Sequence, residues 1–273
     1  MSDSKVTADG KDRAFVNGLA RGLSVIAAFS PEHNRMSLGD LALATGLPKS
    51  TVARLVHTLV TLGYIFVCPD SGRYRLHPRV LTLGYPVMAT MDKRLIALPM
   101  MQELADHSRG TVSLGIRDGL SMIFIERSRD RTVRALPLDI GSRIPMETTA
   151  MGRAYFAAAS ATEKTDILSQ YQSYDPKRFA SVERALRSAE NEYAEKGYCT
   201  AIGTWENDVN AVGVAVELSN EAMAAFNCGG PAARITEATL PDLGIRLGEL
   251  AEHFQTAEWV GQLPPRPYRG VKT

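Results

Sequence analysis

The sequence predicts an α+β protein in two parts: an N-terminal winged helix-turn-helix and a larger domain with a mostly antiparallel sheet. Three observations carry this expectation. Up to Leu62, apolar residues recur at helical spacing, with breaks at Pro31 and Gly46. Between Tyr64 and His77, two short strand-like runs, "YIFV" and "RYRLH", flank the turn "CPDSG". Beyond Thr111, strand runs joined by hairpins are mixed with helices, the pattern of an antiparallel sheet with helices packed on it.

Composition narrows the class. The chain has 273 residues, 45% hydrophobic and 22% charged, enough apolar material for one large domain or two modest ones. The polar start "MSDSKVTADGKDRAF" lacks the apolar run of a secretory signal, and no apolar stretch is long enough to span a membrane. Cys68, Cys199 and Cys228 lie far apart, which argues against a disulfide framework and fits a reducing cytoplasm. The five histidines are scattered, so no metal site and no cofactor is expected. Net charge is only +1, yet the residues up to Pro86 carry +4 and the remainder −3. A basic first third is what a nucleic-acid module would show.

The expected division is a disordered stretch over 1–14, a winged helix-turn-helix over 15–77, a linker helix over 78–91, an effector-type domain over 92–260, and an extended tail over 261–273. In the first helix Leu19, Leu23, Val25, Ile26 and Phe29 form the apolar stripe, and Pro31 ends it. Ser37 is placed to cap the second helix, with Asp40 in its first turn and Leu38, Leu41, Ala42 and Ala44 inward. Pro48 suits the first turn of the third helix, because its missing N–H would find no partner there. Val52, Leu55, Val56, Leu59 and Leu62 point one way along that helix, and Ser50, Arg54, His57 and Thr61 the other. Gly63 stops it.

Helix, helix, tight turn, helix and basic hairpin is the order of a winged helix-turn-helix, whose last helix lies in the major groove. On that basis Ser50, Arg54 and His57 are candidates for base edges, and Lys49, Thr51 and Thr58 for phosphates. Arg73 and Arg75 sit near the tip of the hairpin. A winged helix also serves in protein-binding adaptors, so fold alone leaves that use open.

In the second part, Val112, Leu114 and Ile116 alternate, Asp118-Gly119 marks a hairpin turn, and Met122, Phe124 and Ile125 continue the pattern. Val133 to Leu138 reads as a third strand. A loop with Gly141 and Pro145 leads to a helix capped by Thr148 or Thr149. Helices follow near Thr162–Tyr171 and Ser181–Lys196, then strands in "YCTAI", "NAVGVAVEL" and "AMAAFNCGG", with a turn at Ser219-Asn220-Glu221, and a final amphipathic helix from Pro241 to Ala257. No phosphate-binding glycine loop, nucleophile elbow or paired-carboxylate spacing occurs, so the chain is not expected to be an enzyme.

The succession "LARGLSVIAAF", "LALATGLPKSTVARLVHTLVTLGY", "GRYRLHPRVLTLG", "GSRIPMETTAMGRA" and "FNCGGPAARI" resembles the IclR family of bacterial transcription regulators, over about Asn17 to Ala257. The resemblance implies a winged helix-turn-helix joined to a GAF-like effector domain. It further implies a homodimer or homotetramer on a double-stranded DNA operator and a response to a small organic acid. By position it implies an effector pocket lined by Val133, Leu136, Thr149, Ala150, Met151, Gly152, Ala201, Ala211, Asn227 and Gly229. The free amides at the start of the helix from Thr149 would cradle an anion. Where glyoxylate-responsive relatives tend to carry an acidic residue, a cysteine and serines, Ala201, Ala211, Asn227 and Gly229 stand here, which favours a larger or less polar ligand. The alternative is a GAF-type thiol enzyme such as a methionine sulfoxide reductase, since Cys199 and Cys228 fall near the same region.

Overall fold

The computed structural model describes residues 14–89, 91, 94–130, 132, 138–219 and 222–257. Residues 1–13 of the expected disordered start, residues 133–137 of the expected third strand, the turn residues 220–221 and the extended tail lie outside them. The chain divides into two compact units, one through residue 90 and one from residue 91 onward.

In the first unit, α1 (Asn17–Ala27), α2 (Leu38–Thr45) and α3 (Lys49–Thr61) precede a hairpin of β1 (Ile65–Val67) and β2 (Tyr74–Leu76). A 3-10 turn at Pro78–Val80 runs into α4 (Leu81–Ala89). Ser37 caps α2 as its sequence suggests. Its hydroxyl accepts from the Asp40 N–H at 3.2 Å, while the Asp40 carboxylate accepts from the Ser37 N–H at 2.8 Å. Gly46, at φ 67°, ends α2 in the left-handed region that favours glycine. Val25, Met36, Leu41, Val52, Val56, Leu59 and Ile65 form the small core.

Four side chains expected inward are not. Leu19 and Leu23 are 63% and 52% exposed; of α1, Val25 is buried in the core and Ile26 packs against it. Ala44 faces solvent, and Leu62 lies one residue past the end of α3, where the helical stripe no longer governs it. The linker helix is described as far as Ala89, and Thr90 lies outside the described residues.

The second unit opens with α5 (Arg94–Ser108) and the hairpin β3 (Thr111–Asp118) and β4 (Ser121–Arg129). Its two loop residues are Gly119 and Leu120, one position later than the sequence suggests, with Gly119 at φ 61°. After β5 (Arg143–Pro145) come α6 (Ala150–Ala158), α7 (Ala161–Tyr174) and α8 (Phe179–Lys196). The strands β6 (Cys199–Ile202), β7 (Val209–Ser219) and β8 (Ala222–Pro231) and the helix α9 (Leu240–Thr256) complete it. The sheet has the order β5-β4-β3-β8-β7-β6, and every neighbouring pair is antiparallel. The α+β expectation therefore holds.

Strand alternation sends Val112, Leu114, Val212, Val214, Phe226 and Cys228 to one face, against α5 and α9. Phe226 and Phe254 meet there edge to face at 5.5 Å, worth about 1 kcal/mol beyond their buried area. The other face carries α6, with α7 and α8 behind it. Two glycines let α6 lie close. A Cβ at Gly152 would overlap the Met146 backbone, and one at Gly213 would overlap the Ala150 carbonyl.

A bulge in β4 reverses the phase of its side chains. The register shifts between Leu114 and Gly115, which pair with Glu126 and Phe124, so Ile125 has no partner across the ladder. Ile125 and Glu126 consequently both turn toward α5, where Arg94 forms an ion pair with Glu126. Phe124 and Arg127 are left together on the α6 face.

Candidate functional site

The first candidate surface is the polar side of α3. Val52, Val56 and Leu59 are buried, which holds the opposite side outward. Lys49, Ser50, Arg54, His57 and Thr58 are exposed, and Thr51 is half-buried. The segment contains two cations and no carboxylate. Thr58 turns its hydroxyl back to donate to the Arg54 carbonyl at 3.0 Å, leaving its oxygen lone pairs outward.

The hairpin arginines are engaged rather than free. Arg73 bridges to Asp40 at 3.3 Å and donates to the Arg35 carbonyl at 3.2 Å, yet stays half exposed. An exposed pair of this kind is worth at most about 1 kcal/mol, so a phosphate can compete for the guanidinium. Arg75 stacks its guanidinium 4.8 Å over the Phe66 ring. Arg79 closes the end of α3, donating to the Leu62 carbonyl at 2.7 Å.

The second candidate is a cavity of about 280 Å³ in the other unit, roofed by the start of α6 and floored by the sheet. Register explains the floor. Arg127, Ser113, Asn227 and Gly213 stand side by side on β4, β3, β8 and β7. Two residues along each strand, Thr111, Gly229, Ala211 and Ala201 form the next row. The second row consists of small side chains, and their size is what leaves the space. Phe124, Leu138, Ile144, Trp205 and Val209 supply apolar wall, and Asp208 is exposed at the edge.

Of the residues the resemblance implied, Thr149, Ala150, Ala201, Ala211, Asn227 and Gly229 line this cavity. Met151 does not: it is buried among Met122, Phe124 and Phe156. Gly152 is packed on Met146, and its N–H already donates to the Thr149 hydroxyl at 3.3 Å. Thr149, not Thr148, is the cap of α6. Val133 and Leu136 lie outside the described residues. Sequence reasoning missed Arg127, Ser113, Phe124 and Trp205.

Arg127 has unusual surroundings. Its Nε is buried and has no hydrogen-bond partner among the described residues, and Nη2 lies 3.5 Å from the Thr111 hydroxyl, the outer limit of a bond. Burial pushes its guanidinium below the ordinary arginine value, with a nearby Asp139 opposing and Arg129 adding to the shift. An arginine remains cationic at neutral pH even so. By contrast Arg153, also held below the ordinary value by burial, is satisfied by the carbonyls of Glu147 and Thr200 at 3.0 and 2.9 Å. The Asn227 Oδ1 is likewise buried, with no partner among the described residues.

The thiols are poorly placed for chemistry. Cys199 and Cys228 are fully buried, line no part of the cavity, and burial pushes them up to about 12 and about 11. Cys228 falls between Asn227 and Gly229 on its strand, so alternation turns it to the α9 side. Among the described residues no group of acidic, histidine or cysteine side chains is set to hold a metal ion, and no helix is long and apolar enough to cross a membrane.

A winged helix-turn-helix with a cationic outer face, on one chain with a cavity-bearing α+β domain, is the architecture of a transcription regulator. The family model described as "IclR helix-turn-helix domain" matches residues 18–65, and the one described as "Bacterial transcriptional regulator IclR C-terminal" matches 86–256. The chain belongs to the IclR family. It is similar to the HTH-type transcriptional regulator XynR of Escherichia coli K12, at 30% identity over 85% of this chain and 93% of that one. It is also similar to the regulator TsaQ1/TsaQ2 of Comamonas testosteroni, at 29% identity over 92% and 91%. Among solved structures, an IclR family regulator from Brucella abortus superposes with a TM-score of 0.76 at 36% identity, over 92% of this chain and 96% of that one. A homolog from Microbacterium hydrocarbonoxydans complexed with 4-hydroxybenzoate shares the fold, with a TM-score of 0.71 at 22% identity, over 88% and 98%.

Proposed function

We propose that this transcription regulator reads a pseudo-palindromic operator as a homodimer or a pair of dimers, and that a small organic acid in the cavity tunes the binding. The outward cationic face of α3 carries the first half of this reading. Ser50, Arg54 and His57 address base edges, Lys49, Thr51 and Thr58 address phosphates, and Arg73 and Arg75 bring the hairpin to the flanking backbone. Exposed Phe15, Val16, Leu19 and Leu23 near α1, and Leu81, Leu83, Tyr85 and Val87 on α4, supply apolar surface for self-association. The cavity, lined among the described residues by one arginine and by mostly apolar walls, suits an organic acid. That a homolog of this fold is complexed with 4-hydroxybenzoate is in keeping with a ring acid. An acid that favours one arrangement of the dimer over another shifts DNA affinity by that difference. The cytoplasm is the expected site of action.

A mobility-shift assay tests the regulator reading. Full-length protein is expected to retard duplex from upstream of its own gene at concentrations where random competitor in about a hundredfold excess does not displace it. Equal displacement by random DNA and by unlabelled upstream duplex would refute sequence-specific binding.

A further inference from the structure

We infer that Arg79 is a positioning residue for operator reading: it ties the C-terminal end of α3 to the start of the linker, so that the recognition helix keeps one angle to the duplex. The inference rests on the DNA-reading face of α3 and goes further, to a group outside that face on which its aim depends.

α3 ends in a way that leaves one carbonyl for the linker. The Gly63 N–H donates to the Val60 carbonyl at 3.0 Å and the Tyr64 N–H to the Leu59 carbonyl at 2.9 Å. These are the paired bonds that close a helix through a left-handed glycine, here at φ 76°. The Leu62 carbonyl has no helical N–H to meet it, and the Arg79 guanidinium takes it at 2.7 Å. A cation at this end also meets the negative pole of the helix dipole. The same guanidinium lies over the Tyr64 ring, 5.3 Å from its centre.

The backbone of Arg79 is anchored as well. Its N–H donates to His77 Nδ1 at 3.2 Å, its carbonyl accepts from the Thr82 hydroxyl at 2.8 Å, and the His77 N–H donates to the Tyr64 carbonyl at 2.9 Å. Residues 77–79 are thus stitched to 62–64 through side chain and backbone together. α4 itself has no buried residue, so these bonds, and not a packed helix face, set where the linker leaves the winged helix. Among the described residues no carboxylate forms an ion pair with Arg79, so its direction is set by the Leu62 carbonyl and the Tyr64 ring.

A small tilt at this end matters at the other. α3 has 13 residues, so it is about 20 Å long, and a tilt of about 5° about its C-terminal end moves Lys49 and Ser50 by about 2 Å. That is enough to break a hydrogen bond to a base edge. Attraction to phosphates, which carries binding to random DNA, tolerates such a shift.

Fluorescence anisotropy of the full chain on the upstream duplex and on a random one, across a salt series and well below each variant's unfolding midpoint, tests the assignment. Arg79→Met is expected to weaken the upstream duplex about tenfold and the random duplex less than about twofold, with the salt slope unchanged. Arg79→Lys, which keeps a donor for the Leu62 carbonyl, is expected to recover part of the loss. Equal losses on both duplexes, with a salt slope smaller by about one, would make Arg79 a phosphate contact and overturn the assignment. So would a lower unfolding midpoint with the ratio of specific to random affinity unchanged, which leaves Arg79 a bond of stability alone. Wild-type protein that does not distinguish the two duplexes would instead remove the DNA-reading face itself.

Discussion

Gly213→Ala is expected to destabilise the second unit by about 3 kcal/mol, lowering its unfolding midpoint by roughly 8 °C in a thermal scan. The added methyl would overlap the Ala150 carbonyl, and backbone on both sides of that contact is fixed, β7 by its ladder to β8 and α6 by the Thr149 cap. No flexible side chain can swing aside. Relief requires α6 to lift from the sheet, which would also move Thr149 and Ala150 away from the cavity. Gly248, inside α9 with open space around its Cα, is the control: Gly248→Ala is expected to be neutral or to stabilise by up to about 1 kcal/mol. Midpoints of Gly213→Ala and wild type within a degree of each other would contradict the close approach of α6.

Arg54→Ala is expected to weaken binding to the specific duplex by about 1–3 kcal/mol, roughly 5- to 150-fold, while binding to random duplex changes little. Arg54 sits at the middle of the outward side of α3, opposite the buried Val52 and Val56, where a helix in the major groove presents base-reading side chains. Fluorescence anisotropy against both duplexes, at one stated salt concentration, separates the outcomes. Equal losses on the two duplexes would make Arg54 a phosphate contact.

The outward side of α3 was readable from the chain because a 3.6-residue period assigns sides without knowledge of any partner, and Pro48 and Gly63 mark its ends. The sheet was readable as alternation for the same reason. The floor of the cavity was not, because it depends on which residue of one strand stands beside which residue of another, and a single sequence does not specify register. Arg127 is the clearest instance. Strict alternation from Phe124 would send Arg127 to the α5 side, and within "ERSRDR" it reads as a solvated charge. The bulge at Ile125 reverses the phase and turns Arg127 into the cavity. Nothing in "MIFIERSRD" marks the bulge, because an apolar residue followed by an acidic one is also what ordinary alternation gives, and the Arg94 that pairs with Glu126 lies 32 residues away. Trp205 lies in the loop between β6 and β7, where no period applies. Ser37, by contrast, needed only its local neighbour Asp40 to reveal the cap.

Hydroxyl-radical footprinting on the DNA upstream of the gene tests most directly whether the outward side of α3 lies against a duplex. Two protected segments on one face of the double helix, centred about one helical turn or a whole number of turns apart, are the expected result, and Arg54→Ala is expected to abolish both at the same protein concentration. Uniform cleavage across the region at saturating protein, or protection unchanged by loss of Arg54 together with Lys49, would contradict it.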